Sequence, residues 1–294
     1  MEAVREKVLR GVVEAIRLAQ IRLPEDVLRA LKESAEREEG MARDILESLV
    51  RNAEEARKMG LPICQDTGTP TFFLELGDGF PVRSDLIQLL REAVRRATEE
   101  VPLRPNAVNP WTGENSGDNL GRGVPIVKVR LTPGDRLRLT YLAKGGGSEN
   151  VSALYMMRPG DCARAVKEAV LEAVLRAGPK PCPPVIIGVG VGGGADAALE
   201  AAKWATVRPV GSRNEDPKLA ELEDMLLDRV NSLGIGPMGL GGRTYALAVH
   251  VEWLHRHPAS MPVGVSMLCW AARRAVVEFW PDGSYRIECP EVVP

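Results

Sequence analysis

Along the first hundred residues apolar positions recur at helical spacing. Val4, Val8, Leu9, Val12, Ile16 and Leu18 form one stripe over residues 3–19, and Ile45, Leu46, Leu49 and Val50 form another over 42–58. The spacing predicts two helices there and a third over 85–98, with "TFFLEL" at 71–76 as a strand. From Val124 the period changes to two: "VPIVKVRLTPGDRLRLTYLAKG" alternates apolar and polar residues on both sides of "PGD", which predicts a hairpin. Further helices are expected over 161–177, 195–206 and 217–233. "PPVIIGVGV" reads as a buried strand, "YALAVHVEWL" as another, and "VVEFWPDGSYRIE" as a closing hairpin. The sum is a mixed α/β fold with a helical N-terminal region, and no repeat or long linker marks an internal boundary.

Composition narrows the function classes. Thirty-eight basic residues against 40 acidic leave a formal charge of −2, so no global field draws nucleic acid or an anionic membrane. The longest uncharged stretches, starting at Pro181 and His257, contain Gly and Pro and fall short of the roughly 18 residues a membrane span needs. The charged N-terminus, MEAVREKVLR, lacks the apolar core of a secretory signal. A soluble cytoplasmic protein is expected. Five scattered cysteines, Cys64, Cys162, Cys182, Cys269 and Cys289, do not form a disulfide framework in that compartment.

Candidate chemistry gathers at glycine-rich turns. "KGGGSEN" (144–150) and "GVGVGGGAD" (188–196) follow strands, where consecutive N–H groups can cradle an anion. Gly188, Gly190 and Gly193 match a dinucleotide fingerprint, but the sequence after the next helix runs into a polar turn and another helix rather than a second parallel strand. A nicotinamide dehydrogenase therefore ranks third. In "LPICQDTGTP" a thiol, a carboxylate and a bent backbone fall within four residues. Asp66 there can serve as an acid/base group or close an Asx turn onto the following amides, and the two roles are compatible. His250, His255 and His257 lack the acid or cysteine that would complete a zinc spacing.

"CQDTGT" (64–69), "KGGGSEN", "GVGVGGGAD", "GPMGLGG" (236–242) and "CWAARR" (269–274), in this order, resemble the α component of class I fumarase and L-tartrate dehydratase, oxygen-sensitive iron–sulfur hydro-lyases. The resemblance covers nearly the whole chain and implies one α-type catalytic domain over 1–294, with two subdomains allowed and no boundary assigned. It implies a [4Fe-4S] cluster held by Cys64, Cys182 and Cys269, whose fourth iron lacks a protein ligand and can act as a Lewis acid. Cys162 and Cys289 fall outside the motifs and are expected to be small buried apolar residues. By the same resemblance Asp66 is the acid/base residue. Gln65, Thr67, Arg104, Gly146, Gly147 and His257 are substrate-binding positions, and the polar loop 111–119 is near the site.

Single-chain members of this family carry a second domain, so a separate β subunit that completes the active site, in a heterotetramer, is implied. The expected reaction is reversible hydration of fumarate to (S)-malate, with L-tartrate dehydration as the alternative. A non-catalytic iron–sulfur or metabolite-binding subunit is the rival from another class.

Overall fold

The computed structural model describes residues 2–288; Cys289 lies outside the described residues. The described residues divide into two compact units: 2–25, 52–145 and 273–288 in the first, and 26–51 and 146–272 in the second.

The first unit is a sheet of order β2-β1-β3-β8-β9, built from β1 (Thr69–Gly77), β2 (Ile126–Thr132), β3 (Leu137–Lys144), β8 (Arg274–Phe279) and β9 (Tyr285–Glu288). Helices α1 (Glu2–Ile21) and α4 (Leu86–Glu100) share its core. Val8, Val12 and Ile16 of α1, with Leu89, Leu90 and Ala93 of α4, pack with Phe72, Leu74, Leu139, Tyr141, Val277 and Phe279. The strand residues alternate, as one face of a pleated sheet requires.

The second unit contains α6 (Cys162–Ala177), α7 (Ala195–Ala205), α8 (Pro217–Asn231) and a sheet of order β4-β7-β5-β6, from β4 (Ala153–Met157), β5 (Val185–Gly193), β6 (Ala246–Arg256) and β7 (Met261–Leu268). A short α5 (Gly146–Glu149) opens it, and α2 (Glu25–Arg37) and α3 (Gly40–Met59) belong mostly to it. Asp161 and Asp216 cap α6 and α8 with their carboxylates. Val185, Ile187, Val189 and Val191 of β5 join the core with α6 and α8. The opposite face carries Gly188 and Gly190, where a Cβ would come within 2.0 Å of the Ala202 and Ala198 carbonyl oxygens of α7. These two glycines are therefore strand residues that let an alanine-rich helix lie against the sheet. They do not form a phosphate-binding turn, which removes the dinucleotide reading.

The expected hairpin over 124–145 is also corrected. Both strands form, but β1 lies between them, parallel to β2 and antiparallel to β3. Alternation reports one buried face and cannot report which strand is the neighbour. The loop from Thr132 to Arg136 bridges the end of β1 instead, taking hydrogen bonds from the Gly77 N–H to Arg136 O (2.8 Å) and from the Asp78 N–H to Thr132 O (3.0 Å). The second unit repeats this connectivity: β6 is parallel and β7 antiparallel to the β5 strand between them, so the turn at 257–260 joins strands on either side of β5. The closing hairpin is as expected, with β8 and β9 antiparallel and Phe279 opposite Tyr285.

Candidate active site

In the first unit the segment 64–68 is fixed on both sides. The Ile63 N–H donates to Gln20 O (2.9 Å) and the Asn52 amide donates to Ile63 O (3.0 Å), which anchors the backbone just before the half-buried Cys64. Gln65 is exposed and Asp66 half-buried. Asp66 Oδ1 accepts from the Gly68 N–H at 2.9 Å, closing an Asx turn that orients the carboxylate. Gly68 has φ +76°, and a Cβ there would meet Ala143 C at 2.6 Å, so only glycine suits this bend.

Thr67 is buried, with 4 % exposure. Its hydroxyl accepts from the Arg104 N–H (3.0 Å) and donates to Arg104 O (3.2 Å), and Gln20 donates to Thr67 O (2.8 Å). Thr67 thus holds the peptide of Arg104, whose side chain is exposed. Asn106, absent from the sequence-based expectations, donates to Gly68 O (3.2 Å) and reaches Thr67 Oγ1 (3.4 Å) and Asp66 Oδ1 (3.5 Å). Its only signal was proximity to Arg104 in "PLRPNAV". In the 111–119 loop and its flanks, Asn119 is buried and its Oδ1 accepts from the Asn106 N–H at 2.7 Å, so the end of that loop supports this network.

In the second unit Cys182 is exposed and adopts φ +55°, an uncommon conformation for a non-glycine residue that surrounding structure must impose. That structure is visible: the Cys182 N–H donates to Pro179 O (3.0 Å), the Trp270 N–H to Cys182 O (3.3 Å) and the Met238 N–H to Pro183 O (3.0 Å). The "GPMGLGG" loop and the Cys269 segment are therefore both tied to the Cys182 loop. Cys269 is half-buried. Gly146 and Gly147 are exposed, and a Cβ on Gly147 would sit 3.0 Å from Lys180 O, beside the same loop.

His257 stands on the exposed turn between β6 and β7. Its Nδ1 accepts from the Ala259 N–H at 3.1 Å. A backbone N–H only donates, so the neutral ring carries its proton on Nε2 and offers it outward. Arg256 Nη1 ties the turn by donating to the carbonyls of His257 (3.0 Å), Pro258 (2.9 Å) and Ser260 (3.2 Å). His250, in contrast, is buried against Ala205 O at 3.1 Å.

Cys162 is not the buried residue expected. It is exposed at the start of α6, where it lines an apolar pocket of about 500 Å³ with Val166, Leu219 and Trp253, and partial desolvation raises its thiol pKa. Neither unit alone, among the described residues, gathers three metal-binding side chains into one group. The donor chemistry nonetheless suits an iron–sulfur cluster: all three motif positions carry thiols, the ligand type such clusters prefer, and two lie on loops joined by a hydrogen bond.

The model of the fumarate hydratase (fumerase) family matches residues 10–278. The chain belongs to the fumarate hydratase family. It is an enzyme of the hydro-lyase class. Among the family's curated proteins, a putative L(+)-tartrate dehydratase subunit alpha of Methanocaldococcus jannaschii is 44% identical over 92% of this chain and 96% of its own. An Escherichia coli L(+)-tartrate dehydratase subunit alpha is 37% identical over 89% of this chain and 87% of its own. A putative class I fumarate hydratase of Geobacillus stearothermophilus is 37% identical over 94% of this chain but only 56% of its own. No helix among the described residues is long and apolar enough to cross a membrane.

Proposed function

We propose that this chain is the α subunit of a two-chain [4Fe-4S] hydro-lyase that hydrates fumarate reversibly to (S)-malate, with Cys64, Cys182 and Cys269 as the thiolate ligands. Bound there, the cluster's open iron supplies Lewis-acid character toward substrate oxygen. The observation that carries the reading is the geometry of the CQDTGT turn. Two residues beyond a candidate ligand, Asp66 has one carboxylate oxygen held by the Gly68 amide, which orients the group for proton exchange with substrate.

The other residues bind and aim. The exposed Arg104 guanidinium, on a backbone locked by Thr67, is a partner for a substrate carboxylate. His257 donates from Nε2–H to a substrate oxygen. Gly146 and Gly147 let a ligand approach backbone amides, and the exposed Gln65 contacts substrate beside Asp66.

A partner chain is supported by the name "subunit alpha" of two relatives and by the longer single chain of the third. We place this α chain in a heterotetramer with a β subunit that completes the site. Dehydration of L-tartrate is the second reading, favoured by the names of those two relatives. Anoxic co-expression with the β chain, followed by assays of fumarate hydration and L-tartrate dehydration, tests both. Faster turnover of fumarate is expected. Turnover of L-tartrate alone would select the second reading, and no turnover of either would reject the proposal.

A further inference from the structure

Arg273, in the first unit, is among the largest fully buried side chains of the described residues, with 1 % exposure. It stands immediately before β8, its own carbonyl accepting from the Ala143 N–H at 3.0 Å. Nη1 donates to the backbone carbonyl of Asp66, while Nε has no hydrogen-bond partner in the protein. Burial raises the pKa of the Tyr141 phenol, and the Arg273 charge offsets only a small part of that. Burial of the guanidinium is unfavourable unless a counter-charge is near. A Cβ built on Gly145 would lie 3.2 Å from Asp66 Oδ2 and 3.3 Å from Arg273 Nη2. Carboxylate and guanidinium therefore flank one methyl-sized gap.

We infer that Arg273 is the positioning residue for Asp66. It holds the Asp66 peptide through Nη1, and its Nη2 borders the same gap as Asp66 Oδ2, while the Gly68 amide holds Oδ1. The carboxylate is thus restrained at Oδ1 by the Gly68 amide and at its own peptide by the guanidinium, and a buried cation bordering the gap favours keeping the anion beside it. Glycine at 145 keeps the gap open. This inference rests on the acid/base reading of Asp66.

A double-mutant cycle in the α–β complex tests it. Arg273→Met should lower kcat about 10- to 100-fold while KM stays within about threefold and iron content is unchanged. Arg273→Lys, which restores the charge, should recover part of the rate. Arg273→Met/Asp66→Asn should be no slower than Asp66→Asn, because a residue that acts through Asp66 has nothing left to position. Should Arg273→Met fail to fold, Gly145→Ala carries the test with the charge in place: its Cβ would press into the gap and lower kcat roughly tenfold. Losses that multiply in the double variant, or wild-type kcat in Arg273→Met or Gly145→Ala, would overturn the inference alone. An Asp66→Asn variant at the wild-type rate would remove the acid/base reading itself, and the inference with it.

Discussion

Gly68→Ala separates two demands that the CQDTGT turn makes on one residue. At φ +76° an alanine is destabilised by about 1–2 kcal/mol through contact of its Cβ with the backbone. The same Cβ would also stand 2.6 Å from Ala143 C and 2.9 Å from Ala143 O and Lys144 N, backbone atoms of β3 that cannot rotate away. Overpacking of that kind adds about 1–3 kcal/mol. The expected total is about 2–5 kcal/mol.

Gly113 supplies the control, since its φ of +72° is nearly the same and nothing lies within 4 Å of the added Cβ. Gly113→Ala should show the backbone term alone. In thermal unfolding followed by circular dichroism, Gly68→Ala should lower the midpoint by roughly 5–15 °C and Gly113→Ala by roughly 2–6 °C. Gly68→Ala should also lose about 10²-fold in turnover, because relieving the clash moves the Asp66 turn by an ångström or so. Equal midpoints for the two variants would refute the reasoning, for then the approach to β3 contributes nothing.

Thr67→Val removes the hydroxyl that pairs with both sides of the Arg104 peptide, so it should raise KM for the dicarboxylate more than it lowers kcat; steady-state kinetics showing the reverse split would contradict this placement. The chain has three histidines, so ¹⁵N-histidine labelling resolves His257, whose neutral ring should show an unprotonated Nδ1 and a protonated Nε2; the opposite tautomer would remove its role as an outward donor. Burial raises the phenol of Tyr141 to about 12, and desolvation raises the other three tyrosines, Tyr155, Tyr245 and Tyr285. A phenol with a raised folded pKa contributes stability that is complete below its unfolded value near 10 and is lost as pH climbs toward 12. Absorbance at 295 nm should therefore show Tyr141 ionising near pH 12 or together with unfolding, and ionisation of all four near pH 10 in the folded chain would contradict the burial.

Most of the long helices were legible because their apolar stripes are long: α4 and α8 run within two residues of the expected spans, whereas α2 (Glu25–Arg37) was not expected. Strand order was not. Leu137, Leu139 and Tyr141 alternate the same way whether the neighbour is β2 or β1, and only the long-range register distinguishes them. Strand β7 escaped notice because "MPVGVSML" is buried at every position and so has no period, and its Pro and Gly argue against a strand locally. The site divided in a similar way. Cys64 and Asp66 stand out because the turn residues beside them are local, and the strained φ of Cys182 agrees with the prolines around it. Arg273 did not, since nothing in "RR" distinguishes a buried guanidinium from an exposed one, and Asn106 acts across 40 residues of sequence.

The central claim is that three thiols of this chain hold an iron–sulfur cluster, and anoxic reconstitution with iron and sulfide measures it directly. Iron and acid-labile sulfide should approach four of each per wild-type chain, as a [4Fe-4S] cluster requires. Cys64→Ser, Cys182→Ser and Cys269→Ser should each lose most of both, while Cys162→Ser, at the exposed start of α6, should keep them. Full iron and sulfide in Cys182→Ser, with a wild-type visible spectrum, would contradict the account.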